Sequence, residues 1–126
     1  MTPHMRAAGY GRIINMASGT PFKGVPFLLH YVSSKGAVVA MTKALAKELG
    51  DNILVNTVAP GLTMSDGALA NDVQIQQLQE VSAKARVLVR DQYPEDIVGA
   101  VAFFAGDGAP FITRQSLVVD GGAYFN

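Results

Sequence analysis

Apolar residues follow two rhythms along this chain. Arg12-Ile13-Ile14-Asn15-Met16-Ala17, Ile53 to Val58 and Ser116 to Val119 are short apolar runs, the length of a buried strand. Elsewhere the spacing changes to threes and fours. From about Phe27 to Leu49, Val38, Met41, Leu45 and Leu49 form one stripe, and Ala37, Ala40 and Ala44 form a second. Two stripes predict a helix buried on two sides, one against a sheet and one against another helix, which could belong to another subunit. Gly50 stands where the helix cap belongs. Another helix opens at Pro94-Glu95-Asp96, with proline at its start and acids in its first turn. It turns Ile97, Val101 and Phe104 inward and ends near Gly106.

The remaining segments are punctuation. Met1 to Ala8 reads as the end of a helix stopped by Gly9 and Gly11, and Ser18 to Pro26 as a loop. Residues 60–92 begin polar, then carry Ile75, Leu78 and Val81 at helical spacing within Asp72 to Arg86. So long a connection in a compact domain is commonly a lid or binding segment. Strand, helix, strand, helical lid, helix, strand is the order of an α/β fold. It predicts a parallel sheet of about three strands with flanking helices, the strands laid side by side by right-handed crossovers.

Composition narrows the chemistry. The 126 residues suit one domain or part of one, and 49% hydrophobic content is far above that of a disordered tail. Ten basic and ten acidic side chains cancel, which removes any electrostatic case for nucleic acid or an anionic membrane. The absence of cysteine excludes a disulfide framework, a thiolate zinc site and a Cys nucleophile. His4 reads as surface and His30 as structural or at the substrate's edge; two isolated histidines make no metal site. No run approaches the ~18 apolar residues of a membrane span, and Met1 to Arg6 lacks a signal-peptide core. A cytoplasmic protein is expected.

Three residues carry the chemical argument. Tyr31 and Lys35 lie one helical turn apart and share a face. Free tyrosine titrates near ~10, and an ammonium group one turn away favours the phenolate. The pair is suited to passing a proton to or from a substrate oxygen. Ser18 follows the first strand, at the end where open α/β sheets bind ligands, and its hydroxyl could hold the same oxygen. Taken singly, a Tyr-x-x-x-Lys pair is commonly solvated helix surface and a serine after a strand commonly a turn residue. Their order and matching elements give the combination its weight.

Gly11-Arg12-Ile13-Ile14-Asn15-Met16-Ala17-Ser18 followed by Tyr31-Val32-Ser33-Ser34-Lys35 resembles the active-site segment of short-chain dehydrogenases/reductases, spacing included. Val55-Asn56-Thr57-Val58-Ala59-Pro60-Gly61, Pro94-Glu95-Asp96-Ile97 and Val118-Val119-Asp120-Gly121-Gly122 are similar to later segments of that family. The resemblance covers nearly the whole chain. It implies a Rossmann-like fold and hydride transfer between NAD or NADP and a carbonyl/alcohol substrate. It further implies that Tyr31 is the proton donor or acceptor and that Ser18 positions the substrate oxygen. Lys35 then favours the phenolate and binds the nicotinamide ribose. Pro60, Gly61, Leu62 and Thr63 would lie along the nicotinamide and its phosphates, with Ser65 contacting the same region. A dimer or tetramer, built through the helix bearing Tyr31 and through the last helix and strand, is also implied.

Departures from the pattern define what to test. The family's Thr-Gly-x-x-x-Gly-x-Gly turn, which cradles the pyrophosphate, does not occur in these residues, nor does its Asn-Ala-Gly segment. The chain therefore reads as the C-terminal portion of one such domain, residues 1–126, with a lid at about 60–92. Its first strand would lack the neighbour that the other half supplies, leaving an apolar edge. A marginal monomer is expected, with stability coming from an oligomer, a swapped arrangement or the remaining half. Arg114 occupies a position where the family commonly has glycine, and Gly36 one where it often has alanine. Two other functions stay open. One is an inactive fragment that retains oligomerisation surfaces. The other is a Ser–Lys hydrolase using Ser18 and Lys35, disfavoured by the missing Gly-x-Ser-x-Gly elbow.

Overall fold

The computed structural model describes residues 2–70 and 72–124, with the side chains of residues 72–76 excepted. Ile75 of the expected lid stripe falls outside the described side chains. The elements are α1 (Thr2–Ala8), β1 (Gly11–Met16), α2 (Thr20–Lys23), α3 (Leu29–Leu49), β2 (Ile53–Pro60), α4 (Asp66–Leu69), α5 (Asp72–Lys84), α6 (Glu95–Ala105) and β3 (Ser116–Val119). The strands form one parallel sheet in the order β1-β2-β3. This is the Rossmann-like α/β arrangement that the alternation of rhythms predicted.

The period of two along β2 explains the layers. Ile53 and Val55 face α3 with Ala46, joined by Ile13, Leu45 and Leu49. Ala59 joins Val39 and Ala17 on the same side. Val58 faces the other way, into a cluster with Ile97, Phe104 and Ala109 that also takes in Ile14 and Val119. Successive residues of a strand point to opposite faces, so one short apolar run serves two cores. Helix α6 turns Ile97, Val101 and Phe104 inward as its spacing predicts. β2 runs to Pro60, two residues beyond the expected end, because Thr57 to Pro60 pair with Ser116 to Val119.

Two polar side chains against this sheet, Thr42 and Asn56, find partners. Thr42 on α3 is wholly buried; its hydroxyl donates to the Val38 carbonyl at 2.9 Å and accepts from Asn15 Nδ2 at 2.9 Å and Thr57 Oγ1 at 2.8 Å. One donor and two lone pairs are thus all used. Asn56 ties the loop before β3, donating from Nδ2 to the Ile112 carbonyl at 2.8 Å and accepting from the Gln115 amide at 3.0 Å.

Two expectations shift. Helix α3 begins at Leu29 rather than Phe27, because Phe27 has φ 63°, which a right-handed helix cannot contain. The two stripes of α3 also divide differently: Val39, Thr42 and Ala46 meet the sheet, whereas Met41 is half exposed and joins Ala37, Ala40 and Ala44 on the outer face. The 3.6-residue period drifts by enough to carry Met41 off the Leu45–Leu49 line. The expected loop Ser18 to Pro26 contains the short helix α2, ended by Gly24 in the left-handed conformation.

Arg114 does adopt φ 63°, the conformation suited to glycine, while its amide donates to the Val55 carbonyl at 2.8 Å. A side chain there costs about 1 kcal/mol. Arg114→Gly is expected to raise the urea-unfolding free energy by about that amount. Thr42→Val should lower it by about 2 kcal/mol, since Asn15 and Thr57 lose their buried acceptor. Thr42→Ser should restore most of the loss in the same measurement.

Candidate active site

The carboxyl ends of β1 and β2 gather the candidate residues. The amide of Ala17 donates to the Val58 carbonyl, and that of Gly19 to the Pro60 carbonyl, both at 2.9 Å. These bonds continue the β1–β2 ladder past its last strand residue and hold Ser18 beside Pro60. Ser18 is buried, and its Oγ accepts from the Thr20 amide and the Thr20 hydroxyl, each at 3.2 Å. With both lone pairs engaged, its own hydrogen is the one left to offer a substrate.

Tyr31 lies in the first turn of α3, 38% exposed, and Lys35 follows one turn later. The Lys35 ammonium lies 5.8 Å from the centre of the Tyr31 ring and donates to the Met16 carbonyl at 3.2 Å. Lysine thus bridges the tyrosine and the tip of β1. His30 is exposed beside Tyr31.

A groove of about 520 Å³ opens at the same sheet end, lined by Met16, Pro60, Thr63, Ser65 and, from α6, Ile97, Val98, Val101 and Ala102. Its walls are largely apolar, with the hydroxyl-bearing residues Thr63 and Ser65 on one side. Such a groove fits a flat nicotinamide ring with a ribose hydrogen-bonding at its rim. Of the residues expected to hold the cofactor, Pro60, Thr63 and Ser65 line it; Tyr31 and Lys35 do not, although Lys35 donates to the carbonyl of the lining residue Met16. Gly61 and Leu62 turn the other way. A Cβ on Gly61 would come within 2.9 Å of Asp120 Cβ and 3.0 Å of Gln92 Oε1, so only glycine fits there. The Leu62 carbonyl accepts from Arg86 Nη2 at 2.6 Å.

Sequence reasoning missed the groups that fasten this loop. Gln92, buried, donates from its side-chain Nε2 to the Val119 carbonyl at 2.7 Å, while its backbone carbonyl accepts from the Met64 amide at 2.8 Å. Asp120, also buried, accepts from the amides of Gly122, Ala123 and Tyr124 at 2.9, 3.2 and 3.1 Å. That turn brings the Tyr124 ring to Gly19 and under the ammonium of Lys23, 4.4 Å from the ring centre. The only signal for Asp120 was its place before two glycines. Gln92, between Asp91 and Tyr93, carried none, and Arg86 misled, because it is buried while the apolar run Val87 to Val89 beside it is exposed. Among the described residues, no group of three or more His, Cys, Asp or Glu could hold a metal ion, and no helix is long and apolar enough to cross a membrane.

Comparison with known proteins bears on the family and the fold. The sequence profile of the family described as enoyl-(acyl carrier protein) reductase matches residues 1–124. The 3-oxoacyl-[acyl-carrier-protein] reductase FabG of Staphylococcus epidermidis is 39% identical over 127 residues, covering 98% of this chain and 50% of its own length. A solved Thermus thermophilus protein superposes with a TM-score of 0.87 at 35% identity, over 97% of this chain and 52% of that one. An Agrobacterium tumefaciens 3-oxoacyl (acyl-carrier-protein) reductase, solved with NADP bound, gives 0.83 at 29% identity, over 95% and 47%. The chain belongs to the short-chain dehydrogenase/reductase family. It spans about half the length of the curated relatives it matches.

Between α5 and α6, Arg90 grips Asp96 with two bonds of 2.7 and 2.8 Å, and the Tyr93 amide adds a third at 2.9 Å. The hydrogen bond from Arg90, then that from the Tyr93 amide, hold the Asp96 carboxyl well below the usual carboxylate range. A carboxyl lowered on folding stabilises the fold above its unfolded value of about 3.9, and loses that contribution as acid protonates it. In urea titrations, stability should therefore fall less steeply below about pH 4 in Asp96→Asn than in the parent.

Proposed function

We propose that this chain carries the proton-handling side and part of the cofactor groove of an NAD(P)-dependent oxidoreductase acting on a carbonyl/alcohol pair. The observation that carries this reading is the Lys35 ammonium, which faces the Tyr31 ring and also binds the Met16 carbonyl on the groove's wall. Met16 is thus common to the lysine's hydrogen bond and to the groove's lining. In reduction, Tyr31 gives its phenolic proton to the carbonyl oxygen, and in oxidation it takes that proton back. The Lys35 charge and the positive end of α3 both stabilise the phenolate left behind. Ser18 donates its hydroxyl hydrogen to the same oxygen and fixes its position. Pro60, Thr63 and Ser65 hold the nicotinamide end, Gly61 and Leu62 shape the loop beneath, and Lys35 also contacts the ribose. The bound nicotinamide supplies or accepts the hydride.

The relatives' names make a 3-oxoacyl thioester the first substrate to test, with an enoyl thioester as the contrast. A second reading is an inactive fragment kept for assembly. It rests on the outer face of α3, where Ala37, Ala40, Met41 and Ala44 are exposed at helical spacing. A homo-oligomer built on that face is compatible with either reading.

In the intact enzyme, Tyr31→Phe is expected to lower turnover by about 10²–10⁴-fold with NAD(P)H affinity almost unchanged. Turnover and fluorescence titration of the reduced cofactor read the two quantities separately. Turnover equal to the parent's would remove Tyr31 from its role. Native mass spectra of the chain showing oligomers but no cofactor adduct would favour the assembly reading.

A further inference from the structure

Arg86 is 5% exposed, and its hydrogen bonds all go to backbone carbonyls. Nε donates to Asp120 at 3.1 Å, Nη1 to Arg90 at 2.7 Å and Nη2 to Leu62 at 2.6 Å. Those three carbonyls belong to three separate segments: the turn after β3, the return from the lid, and the loop after β2. A buried guanidinium is costly unless its donors are satisfied, and its planar fork suits several acceptors held in fixed directions.

The surrounding backbone is shaped around this side chain. A Cβ on Gly121, at φ 70°, would meet Arg86 Cδ at 3.1 Å, and one on Gly122, at φ 80°, would meet Val87 at 3.1 Å. The Leu88 amide donates to the Gly121 carbonyl at 3.0 Å. Gln92 closes the same knot, since the Met64 amide donates to its carbonyl and Thr63 pairs with it as an isolated parallel bridge. The glycine pair after β3 thus leaves room for residues 86–88 to cross it.

From this arrangement we infer that Arg86 is a positioning residue: it locks the Gly61–Met64 loop to the returning segment 86–92 and to the turn after β3, so that segment and loop move as one body. The consequence for function rests on the proposed reading of that loop as the nicotinamide contact. Loss of the guanidinium frees the Leu62 carbonyl, and Thr63 then drifts from the groove. The remote sheet keeps its ladder.

The test is amide hydrogen exchange by NMR on the chain carrying Arg86→Lys or Arg86→Met, together with NADPH titration of the same proteins. Lysine keeps the charge but cannot reach three carbonyls in fixed directions, and it protects the experiment if the methionine variant fails to fold. Exchange at Thr63 and Met64 should accelerate about tenfold or more while Val55 and Val58 keep their protection. The NADPH dissociation constant should rise by about the same factor. Unchanged exchange at Met64, or equal acceleration in loop and strand, overturns the clamp. Loop acceleration with an NADPH dissociation constant equal to the parent's upholds the clamp and removes the cofactor reading of the loop.

Discussion

The hydroxyl of Thr42 joins α3 to both strands it covers, and the placement of the catalytic candidates follows from that one group. Asn15 on β1 and Thr57 on β2 both donate to it, while it donates to the turn before it on its own helix. Apolar packing alone leaves a helix free to slide along a sheet with little penalty. A saturated polar contact in a dry interface does not, because each displaced donor is left unpaired. Helix α3 is therefore held at one height, and Tyr31 and Lys35 project at the end of β1 where Ser18 and Pro60 already lie. The lysine completes the link by reaching the Met16 carbonyl.

The second half of the site is held by a different device. The loop after β2 has glycine where Asp120 and Gln92 press against the backbone. It is bound from below by β3, through the Gly61 amide and the Val119 carbonyl at 2.9 Å, and from the side by residues 86–92. The long connection that carries α4 and α5 can thus leave the sheet at Gly61 and return at Gln92 without loosening the residues that line the groove. Its outer surface is less committed: Leu69, Leu78, Val81 and Val87 to Val89 are all at least half exposed.

Much of this was legible from patterns that are local in the chain. Strand runs at Ile13, Val55 and Val118 and the stripe at Ile97, Val101 and Phe104 each follow from side-chain period, so both the α/β alternation and the α6 core were readable. Ser18, Tyr31 and Lys35 were readable because their order and spacing fall on one strand end and one helix. The left-handed backbone at Arg114 was readable by its contrast with the glycine expected there. Boundaries were less so: Phe27 belongs by composition to the helix, and its positive φ is a property of the loop that precedes it.

Residue period thus sufficed for the elements, since each depends on neighbours within one or two turns, and residue order sufficed for their α/β alternation and for naming three candidate groups. They could not say that Met41 faces outward, that Gly61 and Leu62 turn from the groove while Thr63 and Ser65 line it, or that Arg86 is buried. Those outcomes depend on contacts between segments far apart in the chain, Leu62 with Arg86 and Arg86 with Asp120. A hydrogen bond between such segments leaves no period in the sequence, because its partners are chosen by which backbone carbonyls the folded sheet brings within reach.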